Sequence, residues 1–184
     1  LTERGITKDD IFKWKIGYCT EGEYAGRIVV PSFNSSGYAN YFIARSYGYD
    51  WPRYKNPPAS RDIIFNELYV NWDEDIVIVE GVFDAIKAGN AIPLLGSTLR
   101  ENSALFQAIV KGGNRVFLAL DEDASKKTRS ISRLLLKYGI ETYEIDTSGI
   151  EDVGDMSKEE FQVRKSKASF IEKDNYLLQR LSAI

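Results

Sequence analysis

The strongest constraint on this chain is a rhythm that begins near residue 75. Short runs of β-branched and aliphatic residues, Ile76–Val79 and then residues 116–120, break off directly into acids. Glu80 follows the first run, and Asp121 and Asp123 follow the second. A further run, residues 140–145, leads into a loop carrying Asp152 and Asp155. Runs this short and this uniformly apolar are the mark of parallel strands buried on both faces. Helical spacing separates them over residues 82–88, 99–110 and 124–138, and residues 91–95 supply another candidate strand. In the longest of these helices Ile131, Leu134, Leu135 and Tyr138 share one face, and Gly139 ends it. Strands alternating with helices predict an α/β fold, a parallel sheet with helices on both faces. Such folds carry their sites beyond the carboxyl ends of the strands.

That is where the acids fall. Glu80, Asp121, Asp123, Asp152 and Asp155 come from three separate segments, and neighbouring strands would bring them to one edge. Crowded carboxylates repel and raise one another's pKa unless a cation sits among them. A divalent ion resolves the conflict and suits phosphoryl chemistry. Taken singly, each acid can equally be a cap near a helix N-terminus; coincidence at three strand ends favours the metal.

Composition narrows the chemistry. The 184 residues include no His and one Cys. This excludes a Ser-His-Asp triad, a histidine base and a Cys-based zinc site. Any metal must therefore be held by oxygen, which favours Mg²⁺, Mn²⁺ or Ca²⁺. The net charge of -3 is unevenly spread, at +2 over residues 1–60, -8 over 61–160 and +3 beyond. An acidic centre repels nucleic acid unless cations neutralise it. No apolar run approaches the roughly 20 residues needed to span a bilayer. The first residues lack a signal-peptide pattern and an initiator Met. The chain is expected to be a piece of a soluble, cytoplasmic protein, with no membrane partner.

The first part of the chain reads differently. Residues 8–14 form a candidate helix behind Thr7. Residues 27–33 and 40–46 are candidate strands joined by a turn at 34–37, and residues 47–60 are loop-like, rich in Tyr, Pro and Asn. Most aromatics between Phe33 and Tyr54 are expected in a core, with one or two left exposed. Ser97 is expected to cap a helix, Cys19 to be a buried small hydrophobe, and the segment 161–181 to be a packing and linking helix that follows a capping box at Ser157 and Glu160.

Against this background the segment Val79-Glu80-Gly81-Val82-Phe83-Asp84-Ala85 and the segment Leu120-Asp121-Glu122-Asp123-Ala124 resemble the acidic motifs of the Toprim domain. That domain is shared by topoisomerases, primases and some nucleases. Asp152-Val153-Gly154-Asp155-Met156 resembles its third acidic motif. Gly26 to Pro31, Tyr41 to Arg45, and above all Pro52-Arg53-Tyr54-Lys55-Asn56-Pro57 resemble the segment preceding Toprim in bacterial and phage-type DNA primases. The similarity covers roughly residues 24–162, and the form of the third motif looks more like a phage enzyme, acting in the host cytoplasm, than a cellular one.

The resemblance implies the RNA polymerase core of a primase, making short RNA primers on single-stranded DNA from ribonucleoside triphosphates. It implies a basic, aromatic lobe over residues 1–74, a Toprim catalytic domain over 75–156 and a helical segment over 157–184. Glu80, Asp121 and Asp123 are implied as catalytic. Mg²⁺ or Mn²⁺ would be held by Asp121, Asp123 and Asp152, with Asp155 as a further ligand, and Glu80 either completes that set or acts as general base. Arg27, Arg45, Arg53, Lys55 and Asn56 are implied to bind template or nucleotide. A helicase and a zinc-binding module are expected as partners outside this chain. The alternatives are a Toprim nuclease using the same carboxylates, or a non-catalytic nucleic-acid-binding module.

Overall fold

The computed structural model describes residues 4–48, 51–121, 124–150 and 152–172. Two sheets organise them. The first is antiparallel, in the order β1 (Gly17–Cys19), β2 (Arg27–Phe33), β3 (Ala39–Ser46). The second has the order β5 (Ala91–Pro93), β4 (Ile76–Val79), β6 (Val116–Ala119), β7 (Thr142–Glu144), β8 (Ser169–Phe170). Its first four strands are parallel and β8 is an antiparallel edge. The expected α/β sheet is therefore present, preceded by the smaller antiparallel one. The edge strand β8 was not expected. Within the described residues α5 (Lys158–Ser166) ends and the chain turns back to pair with β7, which interrupts the helix expected over 161–181; residues 173–181 of that expectation lie outside the described residues.

The period-2 geometry of strands explains how one short run serves two cores. Every side chain of Ile76–Val79 is fully buried. Val77 and Val79, with Phe117 and Ala119, face α2 (Val82–Ala88), α5 and the first lobe, where Trp14, Val30, Ile43, Phe65 and Phe161 pack. Ile76, Ile78, Val116 and Leu118 face the other way, against Phe106 and Ile109 of α3 (Ala104–Gly112) and Ile131 and Leu135 of α4 (Ser125–Lys137). One core thus runs continuously from the first lobe into the parallel sheet.

Local signals explain the helix ends. Ser103, not Ser97, caps α3 by accepting from the Phe106 amide at 3.4 Å, so this helix begins later than its periodicity suggests. Ser97 instead donates to the Leu94 carbonyl at 2.5 Å. Gly113, in the left-handed region at φ 67°, ends α3. Cys19 is only half-buried and donates to the Glu21 carbonyl, which departs from the expected core role. The segment between the lobes is pinned by Asn66. This residue sits in the left-handed region at φ 55°, its side-chain oxygen accepts from the Phe33 amide and its amide donates to Ser32 Oγ.

The opening helix α1 (Lys8–Lys13) docks through Asp10, which is 4% exposed. Its carboxylate accepts from the Thr7 amide (3.0 Å), the Thr7 hydroxyl (2.7 Å) and Lys158 Nζ (2.5 Å) on α5. Burial alone would raise the Asp10 pKa, but Lys158 and Thr7 outweigh it and hold the carboxyl below its ordinary value. A depressed folded pKa gives stability that is complete above the ordinary carboxylate value of about 3.9 and disappears as pH falls through the lower folded value. Asp10→Asn should therefore lose about 2 kcal/mol at neutral pH in urea unfolding, for one cap and one charged hydrogen bond. The gap to the parent should close below about pH 4; a gap that persists in acid would rule out the ionic contribution.

Candidate active site

The strand order determines where a site can form. The chain passes from β4 to β5 in one direction, under α2, and from β6 to β7 in the other, under α4. Between the adjacent strands β4 and β6 the direction reverses, and their carboxyl ends open a crevice there. Glu80 leaves β4 and Asp121 leaves the end of β6, so both sit on this crevice. Hydrogen bonds to the main chain hold the two ends: the Leu95 amide donates to the Glu80 carbonyl, and the Thr147 side-chain hydroxyl donates to the Leu120 carbonyl at 2.8 Å.

Glu80, Asp84, Asp121 and Asp152 line a single cavity of about 380 Å³. Asp152 arrives on a 3-10 turn (Val153–Asp155) that is anchored by buried Val153 and Met156, and its Oδ1 accepts from the Gly154 amide. Asp155 points away to the surface and does not line the cavity, although Arg4 approaches it at 3.6 Å. Of the two acids in the third motif, Asp152 is the one turned inward. Asp123 lies outside the described residues.

Asp84 was assigned no role from sequence. It is 5% exposed, and its Oδ2 accepts from the Gly81 amide at 2.7 Å, closing the first turn of α2. Burial raises its pKa, and the Asp152 charge, a shared hydrogen bond with Asp152 and the Asp121 charge raise it further, with only the Gly81 amide opposing. Burial also acts to raise Asp152, but its hydrogen bond from Asp84, the Gly154 amide and Arg4 bring it below its ordinary value. The Asp84 carboxyl is thus pushed up to about 8 while Asp152 is held below its ordinary value. Position i+3 from Gly81 was the available signal, and it reads equally well as a helix cap.

Two cations of the chain itself balance this edge. Lys127 Nζ on α4 contacts Glu80 at 2.6 Å, and Arg4 contacts Asp152 at 3.3 Å while lying over the Phe83 ring. With these acids so engaged, no group of three or more acidic side chains among the described residues is arranged to hold a metal ion. The donor set nevertheless fits one: several carboxylates lining one cavity, partly desolvated and crowded enough to push the Asp84 pKa upward, are what a divalent ion relieves.

The other wall belongs to the first lobe. Arg45 lies over the Phe83 and Tyr54 rings and donates to the Tyr54 hydroxyl at 3.2 Å. Asn56 lines the cavity and accepts from the Ala44 amide, so it orients its loop. Arg27 is buried and donates to the carbonyls of Pro52 and Arg53, which places it beneath the loop that presents Arg53. Lys55 is held by Glu23 at 3.2 Å and lies over Tyr24. Arg53 is exposed. The aromatics are more exposed than expected: Tyr41 is buried, but Tyr38, Tyr47, Trp51 and Tyr54 are open, with Trp51 89% exposed. Tyr49 lies outside the described residues.

Gly154 keeps the acids together. A Cβ there would stand 2.9 Å from Asp84 Oδ1 and 3.0 Å from Asp152 Oδ1. These atoms are the ends of side chains, so the fold can yield while the pair cannot stay. The parent is expected to gain Tm on addition of Mn²⁺; Gly154→Ala should shift stability in chelator by less than about 1 kcal/mol and lose that gain. A variant that keeps the full Mn²⁺ response would show that the closeness of these two carboxylates is immaterial.

No protein-family model matches the sequence. A DNA primase of Thermotoga maritima is 29% identical over 153 residues, an alignment that takes in 74% of this chain and 27% of the primase. The chain thus spans about a quarter of that relative. The Escherichia coli primase catalytic core superposes with a TM-score of 0.77 at 18% identity, covering 98% of this chain and 75% of that one. A DnaG primase catalytic domain bound to single-stranded DNA superposes with a TM-score of 0.75 at 18% identity, covering 92% and 70%. The named organisms are bacteria, so the expected phage origin gains no support from them. Sequence and fold point the same way: the chain is similar in sequence to a bacterial DNA primase and has the fold of primase catalytic cores.

Proposed function

We propose that the chain is the catalytic core of a DNA primase, which joins ribonucleotides on a single-stranded DNA template. The observation that carries this reading is the cavity on which Glu80, Asp84, Asp121 and Asp152 meet Arg45 and Asn56. In the reaction a primer 3′-oxygen bonds to the α-phosphorus of the incoming nucleotide. The α–β anhydride bond breaks, pyrophosphate leaves, and the hydroxyl proton passes to a base. In this reading residues 1–74 hold the template, 75–156 carry the chemistry, and the described part of the C-terminal segment 157–184, through α5 and β8, supports the sheet.

Asp84, Asp121 and Asp152, with Asp123, are the residues that would hold Mg²⁺ or Mn²⁺. When bound, such an ion neutralises the triphosphate and stabilises the charge that develops during transfer. Lys127 orients Glu80 at the cavity rim, where it can complete the ligand set or receive the proton; without histidine, a carboxylate is the available side-chain base. Arg45 and Arg53 supply guanidinium groups for phosphate, and Tyr54 and Trp51 supply faces for stacking unpaired bases. Arg27, Lys55 and Asn56 act from behind, holding the loop that presents them. The single strand seen on the DnaG catalytic domain is the partner this face would take. A helicase and a zinc-binding module would act alongside, and among the described residues no helix is long and apolar enough to cross a membrane.

The test is RNA synthesis on single-stranded DNA by this polypeptide, with and without Mg²⁺ or Mn²⁺, beside a nicking assay. Metal-dependent incorporation is expected. Nicking without incorporation would replace the reading by a nuclease. Asp121→Asn should keep the fold and lower incorporation by about 100-fold or more, as for loss of one acid–base or electrostatic group; parental rates would remove Asp121 from the mechanism. Arg53→Gln should flatten the log–log salt dependence of DNA binding by about 0.7, one single-strand phosphate contact, and an unchanged slope would take Arg53 off the strand's path.

A further inference from the structure

A second cavity, of about 400 Å³, opens at the carboxyl end of β5. It lies between residues 60–63 of the connecting segment and residues 97–103, and Arg61 and Leu95 line both it and the acidic cavity. The two therefore abut, with Arg61 at their boundary. Arg61 and Arg100 are exposed. Neither guanidinium is paired with a carboxylate among the described residues, and neither has a side-chain hydrogen bond there. The one acid lining this cavity, Asp62, is already engaged, accepting from the Ala104 amide at 2.9 Å at the start of α3.

The loop that carries Arg100 is preorganised. Ser97 donates to the Leu94 carbonyl at 2.5 Å, and Ser103 donates to the Arg100 carbonyl at 2.8 Å. Together with the Asp62 contact, these bonds hold the loop against the connecting segment, so both guanidinium groups border one basin whose lining carries two cations and one carboxylate, Asp62. The cavity on the other side of Asp121 has the opposite character: it is lined by Glu144 and Asp146 and would repel a phosphate chain. Of these two cavities, the basin of Arg61 and Arg100 is the one whose lining suits a polyanion.

We propose that this basin carries the phosphodiester backbone of a single-stranded nucleic acid running past the acidic cavity, with Arg61 and Arg100 each contacting a phosphate. The inference rests on the primase-core reading and adds to it a direction for the strand. A nucleotide held at the carboxylates occupies the first cavity; what continues beyond Arg61 and Leu95 is a chain.

The experiment is fluorescence anisotropy of a labelled oligothymidylate of roughly 16 nucleotides, near the upper end of single-strand site sizes, titrated with the full chain across KCl. The parent should lose affinity steeply with salt. The double variant Arg61→Gln, Arg100→Gln should flatten the log–log slope by about 1.4, and Arg100→Gln alone by about 0.7. Arg100→Gln should leave the half-saturating ribonucleotide concentration in the incorporation assay unchanged. A double variant with the parental slope overturns the proposal and leaves the primase reading standing. A rise in half-saturating nucleotide for Arg100→Gln, without a change in DNA slope, also overturns it and assigns the basin to a triphosphate. A parent that fails to bind the oligonucleotide in a salt-dependent way sinks the primase reading and this inference together.

Discussion

Like charges held in a partly desolvated crevice are the constraint from which the rest of this molecule follows. Four carboxylates come to one cavity because β4 and β6 are neighbours and the chain reverses direction between them. Their repulsion is answered in three ways. The Asp84 pKa is pushed upward, a lysine from α4 sits on Glu80, and an arginine from the N-terminal segment sits on Asp152. Each answer draws on a different part of the fold, so the acidic edge is linked to elements well separated in sequence.

The two faces of the parallel sheet divide the work. One face joins the sheet to the first lobe through a shared core that includes Trp14, Phe65 and Phe161. This continuity holds the Arg45 wall against the acidic wall with a definite gap between them. The other face, packed with Phe106, Ile131 and Leu135, carries α3 and α4. Those helices bring Lys127 to Glu80 and set the loop of Arg100 beside the connecting segment. Glycine matters at Gly154 because two carboxylates occupy the space a side chain would need.

Charge is arranged as function would require and as the net value of -3 conceals. The acidic edge lies between Arg45 on the first lobe and a guanidinium pair beyond β5, while the cavity beside Asp121 and Asp146 is acidic. A polyanion that approaches such a surface meets attraction on one path and repulsion on the other.

The β-branched runs, the acids that end them and the glycine-terminated helices follow from local chemistry, so the parallel sheet and the carboxylate edge were legible from the amino-acid order alone. Val77 and Ile78 must face opposite ways because strands alternate, and Glu80 must leave the end of its strand. The roles of Asp84, Arg4 and Lys127 were not legible. Asp84 satisfies a helix-cap pattern as well as a site, Lys127 reads as a solvated helix face, and Arg4 meets Asp152 across 148 positions of chain. The edge strand β8, the inward turn of Arg27 and the openness of Trp51 belong to the same class. Each depends on which surfaces come together once the two lobes share a core. Local pattern names the residues able to carry charge; tertiary packing decides which of those charges are buried, which are answered by a neighbour, and which are left facing a ligand.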